Sequence, residues 1–177
     1  METVDKFQMR IEKIQNNQLN QVAALAHAIW PVVYAEMISA EQLNFMLEQM
    51  YSTESLTHQM QNLNHQFILA WDEHEKPIGF ASFAFYDKND LKFVKLHKLY
   101  VLPDLHKSGI GRSLLHFIET EMKNEGYAAL RLNVNRNNIA IGFYQKLGFT
   151  IIKEEDIAIG NGFFMNDYVM EKKFEFC

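Results

Sequence analysis

One stretch restricts the fold of this chain more than any other. From Leu99 to Phe149 it reads LYVLPDLHKSGIGRSLLHFIETEMKNEGYAALRLNVNRNNIAIGFYQKLGF. The apolar strand Leu99-Tyr100-Val101 runs into the turn His106-Lys107-Ser108-Gly109-Ile110-Gly111. A helix follows, with Leu114, Leu115, Ile118 and Met122 on one stripe. After it come a second strand over 130–134, an Asn-led helix and Gly148-Phe149. Gly109 and Gly111 leave backbone N–H groups free to converge on an anion at the positive end of the helix. A cofactor phosphate is the natural occupant. The plainer reading is a helix start that holds only water or an adventitious anion.

Neither of two widespread phosphate loops is present. A P-loop needs Gly-Lys-Ser/Thr, which does not occur here, and the dinucleotide fingerprint needs a small residue where this chain has Leu114. A Gly-x-Ser-x-Gly elbow and a His-Glu-x-x-His zinc motif are also missing from the sequence. No metal site is expected.

The wider pattern alternates strands and helices. A first strand is expected over 9–14 and helices over 17–30, from a Ser39–Gln42 capping box towards Met50, and over 53–62. Strands are expected over 67–71, 78–86 and 92–101, joined by turns at 73–76 and 87–90. The long helix covers 109–125, a strand 130–134 and a helix 138–147. A final hairpin, 150–159 and 163–174, turns at Gly160-Asn161-Gly162. The fold class is α/β, a mixed and mostly antiparallel central sheet with helices on both faces. One strand breaks its own period: Val94 and Leu96 are apolar at even positions, Leu99 and Val101 at odd ones. A β-bulge near His97-Lys98 would return both pairs to one face, and burial on both faces is the alternative.

Composition narrows the function classes. The 177 residues fit a single domain over 1–177, with no linker, repeat or low-complexity tract. The charged start METVDKFQMR lacks the apolar core of a secretory signal, and no apolar run is long enough to span a membrane. The one cysteine, Cys177, has no intrachain partner and no prenylation context, which fits a reducing cytoplasm. A net charge of −5 with scattered Lys and Arg argues against nucleic acid. It suits a cationic acceptor instead. Lys107 and Arg112 flank the glycine turn and could concentrate positive potential there, or be ordinary solvated side chains.

With these residues in view, the chain resembles the GCN5-related N-acetyltransferases, which move acetyl from acetyl-CoA to an amine. The family turn, Gln or Arg, two residues, Gly, one residue, Gly or Ala, appears here as His106 to Gly111, with His106 as the departure. Asn137, Ala140, Phe143-Tyr144 and Gly148-Phe149 look like its second signature. The resemblance implies a sheet splayed at its middle strands, with the pantetheine arm of acetyl-CoA paired to the strand at Leu99, Tyr100 and Val101. A backbone N–H there would meet the developing oxyanion. It also implies a cofactor cradle over His106, Lys107, Ser108, Gly109, Ile110, Gly111 and Arg112, a pantetheine contact from Asn137, and Tyr144 as the catalytic acid. Capping of the following helix would explain Asn137 equally well, and core packing against Phe143 and Phe149 would explain Tyr144.

The acceptor side is expected from the aromatic, Met-rich segment 29–51, where Trp30 and Tyr34 sit one helical turn apart. This segment and the closing GNGFFMNDYVMEK loosely resemble the polyamine-acetylating branch, the bacterial spermidine/spermine acetyltransferases. The base stays open among His97, Glu36, Glu41, Asp167 and a water relay. The reading is an N-acetyltransferase acting on a primary amine of a small molecule. Acetylation of a protein N-terminus or lysine, and a non-catalytic acyl-CoA-binding module, are the alternatives. The apolar C-terminal strand suggests a homodimer contact.

Overall fold

The structure is a computed structural model that describes residues 9–88 and 91–175. The charged segment 1–8, residues 89–90 of the turn expected over 87–90, and Phe176 and Cys177 lie outside the described residues. Seven strands among the described residues form one sheet: β1 (Arg10–Lys13), β2 (Gln66–Trp71), β3 (Pro77–Lys88), β4 (Leu91–Val101), β5 (Ala129–Asn135), β6 (Thr150–Gly160) and β7 (Phe163–Lys173). Their order is β1-β2-β3-β4-β5-β7-β6. Every neighbouring pair is antiparallel except β4–β5, the one pair joined by a long helical crossover.

The β4–β5 pair is short. Val94 meets Leu130, Lys95 meets Arg131, Leu96 meets Leu132, and there the pairing ends. β5 nevertheless continues to Asn135 along β7, and β4 continues to Val101 along β3. The two middle strands therefore part beyond Leu96. The cause lies in β4, where Leu96 pairs with Phe83 and Lys98 with Ser82, so His97 is an extra residue. That is the bulge the broken period called for. It returns Val94, Leu96, Leu99 and Val101 to one apolar cluster, and the reading of a strand buried on both faces falls away.

Helices cover both faces. α4 (Ile110–Asn124) buries Ile110, Leu114, Leu115, Ile118 and Met122 on one, beside α5 (Ala140–Lys146). On the other face α1 (Leu19–Val33), α2 (Ala40–Tyr51) and α3 (Thr53–Gln61) pack Val22, Ile29, Trp30, Leu47, Tyr51 and Leu56 onto Phe67, Leu69 and Phe80.

Several boundaries differ from expectation for physical reasons. α1 does not stop at Trp30 but carries Pro31 inside it and ends at Val33. The proline removes one backbone donor near the helix end, and the Tyr34 N–H still closes on Trp30 O at 2.9 Å. Ser39 caps α2 by accepting from Gln42 N at 3.1 Å. The capping box is only half made, because the Gln42 amide donates instead to Phe164 O at 3.0 Å and ties α2 to β7. Asn137 does not cap the last helix. Asn138 Oδ1 accepts from Ala140 N at 2.8 Å and Asn135 Oδ1 accepts from Asn137 N at 2.9 Å, so α5 starts later than expected. The β6–β7 hairpin turns on Asn161 and Gly162, both at positive φ (52° and 75°), the two-residue geometry that Asn-Gly favours.

Leu114 is fully buried between α4 and the sheet. Leu114→Ala is expected to lower the unfolding free energy by about 3 kcal/mol, read by urea denaturation. A loss under about 1 kcal/mol would mean that this cluster closes over the void.

Candidate active site

The glycine turn is built to expose donors. Beyond β4 the chain makes a 3₁₀ turn, Pro103–Leu105, then places Lys107 and Gly109 at φ +68° and +89°. Gly109 is the N-cap of α4 and no side chain caps the helix; its first carbonyl bond is Ser113 N–H to Gly109 O at 3.0 Å. The N–H groups of the first turn thus have no carbonyl within their own helix and face outward at its positive end. A Cβ on Gly109 would meet nothing within 4 Å, so it is the left-handed φ, not space, that requires glycine. Ser108 Oγ donates to Leu105 O at 2.5 Å. His106, where the family has Gln or Arg, donates Nε2–H to Val101 O at 3.1 Å. The substituted residue therefore pins the loop to the end of β4.

Below the loop lies the gap between the parted strands. The Leu102 N–H donates to Ile78 O on β3 at 3.0 Å. By the alternation of an extended chain, the N–H groups of Leu99 and Val101 point the other way, into the gap. A cleft of about 1190 Å³ runs from the loop through this gap to the α1–α2 side. Leu99, Tyr100, Val101 and every residue from His106 to Arg112 line it, with Tyr144 of α5 opposite and Trp30 and Tyr34 of α1 beyond. Asn137 is exposed and stands outside this lining, which takes Asn135 and Asn138 instead. The aromatic wall is continuous. Trp30 lies 4.6 Å from Tyr34 and 5.7 Å from Tyr100 between ring centroids, and the Tyr34 and Tyr100 hydroxyls share a hydrogen bond at 2.9 Å.

A helix start with open donors above a parted parallel pair is what the resemblance to the N-acetyltransferases implied, and comparison with known proteins agrees. A family model described as an acetyltransferase (GNAT) domain matches residues 34–172. The chain belongs to the GNAT acetyltransferase family. It is similar to spermidine N(1)-acetyltransferase of Thermoplasma acidophilum, 31% identical over 94% of this chain and 98% of that relative. The crystal structure of the PaiA N-acetyltransferase of Thermoplasma acidophilum in complex with coenzyme A superposes with a TM-score of 0.77 at 28% identity, over 94% of this chain and 99% of that one. A GCN5-related N-acetyltransferase from Rhodopseudomonas palustris shares the fold at a TM-score of 0.78 and 20% identity, over 98% and 99%. This GNAT protein is thus an acetyl-CoA-dependent N-acetyltransferase, and the outward donors at Gly109 to Arg112 fit its co-substrate.

The titratable groups of this acetyltransferase sort sharply by burial. Tyr144 is buried, its pKa is raised by that burial, and its hydroxyl has no hydrogen-bond partner among the described residues. Among the carboxylates weighed from sequence, Glu36 and Glu41 are exposed and outside the cleft lining. Asp167 of β7 is 2% exposed, lines the cleft and has its pKa raised by burial, with Oδ2 unpartnered. Tyr34 lines the same cleft, its own pKa raised by burial and further by the Asp167 charge. His97 lines the cleft too, but burial and the neighbouring Lys95 and Lys98 drive its pKa down to about 2. It is stacked on His65 at 3.9 Å and bonded to Tyr86 Oη at 3.1 Å. So weak a base cannot take a proton from an ammonium near neutral pH.

Sequence reasoning missed Lys98, Gln59 and His65, which also line the cleft. Only Lys98 left a trace, as a cation set where the alternation of β4 calls for an inward residue. The His106 contact carries its own consequence. His106→Ala is expected to weaken coenzyme A binding about 5-fold, the worth of one hydrogen bond of about 1 kcal/mol, measured by titration calorimetry. Unchanged affinity would mean the loop holds its shape without that bond.

Proposed function

We propose that this enzyme acetylates the primary amine of a small molecule, with Asp167 taking the proton from the amine and Tyr144 protonating the departing thiolate. One observation carries the reading: the buried, unpartnered Oδ2 of Asp167 and the side chain of the buried Tyr144 line the same cleft, together with Tyr34. Acetyl transfer to an ammonium needs a base, an acid and a donor for the carbonyl oxygen as it gains charge. Asp167 is desolvated, which raises its pKa and makes it a better proton acceptor than an exposed carboxylate. Tyr144 is kept protonated by its surroundings and so serves as a donor. The outward N–H of Leu99 or Val101 suits the oxyanion. Attack by the amine is direct, and no nucleophilic side chain is needed. Lys107 and Arg112 flank the α4 start, where the phosphates of acetyl-CoA would lie.

The aromatic wall of Trp30, Tyr34 and Tyr100 supports an enclosed acceptor of modest size. The spermidine relative supports a polyamine as one acceptor to test.

The test is release of coenzyme A across a panel of small amines, amino acids, polyamines and short peptides. Tyr144→Phe is expected to lower turnover about 100-fold with coenzyme A affinity kept, and unchanged turnover would remove the acid assignment. Asp167→Asn is expected to lower kcat/KM by a similar factor. It also carries a stability signature. A carboxyl held protonated more readily in the folded protein than in the unfolded chain loses stability as pH rises through its folded pKa. The Asn variant should therefore melt no lower than the parent at neutral pH. A large fall in Tm together with activity would point to a structural role.

A further inference from the structure

The acceptor cleft holds, besides Asp167, a cation that the proposed chemistry does not use. Lys98 is 5% exposed and projects from β4 just past the bulge, on the α3 side. Its Nζ donates to Gln59 Oε1 at 2.6 Å and lies 5.4 and 5.9 Å from the ring centres of Tyr51 and Phe67. Gln59 is itself locked, its Nε2 donating to Met50 O at 2.9 Å and to Ser55 Oγ at 3.0 Å, so its oxygen is turned to the lysine. An ammonium has three donors, and one is used. No carboxylate pairs with Lys98 among the described residues. Next to it His65, 8% exposed, lines the same cleft with Nδ1 unpartnered.

A buried cation without a counter-ion destabilises the fold it sits in, and an apolar side chain of similar length would usually be tolerated better. Burial lowers the Lys98 pKa to about 8, which still leaves it mostly charged at neutral pH. Burial holds His65 and His97 below their ordinary values, and the Lys98 charge adds to that lowering. The cleft therefore carries charges of both signs. Its lining includes both Asp167, with Tyr144 and Tyr34, and Lys98, with Gln59 and His65.

We infer that Lys98, held by Gln59, receives a carboxylate on the acceptor, so that the amine this enzyme acetylates belongs to an amino-acid-like molecule and not to a polyamine. The inference rests on the amine-acetylating reading above and narrows it. A carboxylate would take the two free donors of Lys98 and the Nδ1 position of His65. A polyamine would instead bring a second ammonium up to a desolvated cation, where like charges repel strongly.

Matched amines decide the matter. Each set shares a carbon skeleton and comprises the neutral monoamine, the diamine and the α- and ω-amino acids, compared by kcat/KM. The native enzyme is expected to favour an amino acid over the monoamine by about 10- to 100-fold, the range for a hydrogen bond to a charged group. The diamine should rank last. Lys98→Met should erase the preference chiefly through KM, and Lys98→Arg should keep part of it. In a parallel measurement, pentanoate, which has no amine, should compete with the acceptor in the native enzyme and not in Lys98→Met. If diamines are preferred, or if both variants keep the native ranking with pentanoate still competing, the inference is overturned while the amine-acetylating reading stands. If no amine is acetylated although coenzyme A binds, the function proposed above fails, and the inference fails with it. A Lys98→Met protein that melts at or above the native Tm with its preference gone is the outcome a purely structural lysine would not give.

Discussion

The structure depends on one extra residue. His97 lengthens β4 by a single position against β3, and the β4–β5 ladder stops one residue earlier, at Leu96 and Leu132. Backbone donors and acceptors beyond that point have lost their strand partner, an expensive arrangement unless something else pairs with them. The gap does not close by simple collapse because each wall is held from behind. β3 pairs with β4 as far as Val101, and β7 pairs with β5 as far as Asn135. The opening is thus a property of the sheet and not of a mobile loop. Everything chemical in the molecule is arranged around its edges.

The glycine loop is tied to the same device. His106 reaches back to Val101 O, an acceptor that faces the gap because β5 has turned away. A Gln or Arg in that place could make the same contact through a different donor. The loop thereby inherits its position from the strand end, and the open donors at the start of α4 line up with the open donors of Leu99 and Val101. A ligand with phosphates at one end and an extended amide-bearing arm at the other meets both.

Much of this was legible in the residues. The broken period of Val94, Leu96, Leu99 and Val101 located the bulge to within a residue, because a two-residue repeat leaves no other way to keep four apolar side chains together. The glycine turn and the α4 stripe were equally plain. Errors came where a side chain had a choice of partners. Asn137 and Asn138 are both good caps, and only the path of the chain after β5 decided between them. Gln42 preferred a carbonyl on β7 to its own helix start, a tertiary contact that no local pattern encodes. Lys98 and Gln59 are 39 positions apart, and their meeting depends on how α3 is laid across the sheet. Local chemistry fixed the cradle, while long-range packing fixed the acceptor side.

That division bears on how far likeness to relatives can be carried. The cradle and the gap are made of backbone, so sequences of very different composition can build them, and the Rhodopseudomonas structure keeps the fold at 20% identity. On the reading proposed above, acceptor choice would fall to side chains on α1, α3, β4 and β7, which can change without disturbing the sheet. Burying Lys98 without a counter-ion costs stability that a methionine would not, and burying Asp167 with an oxygen unpartnered does the same. Natural sequences concentrate such local conflicts at functional sites. Lys98, bonded to Gln59 but to no carboxylate, and Asp167, with Oδ2 unpartnered, line one cleft, and an acceptor that carried an amine and an anion together would answer both conflicts at once.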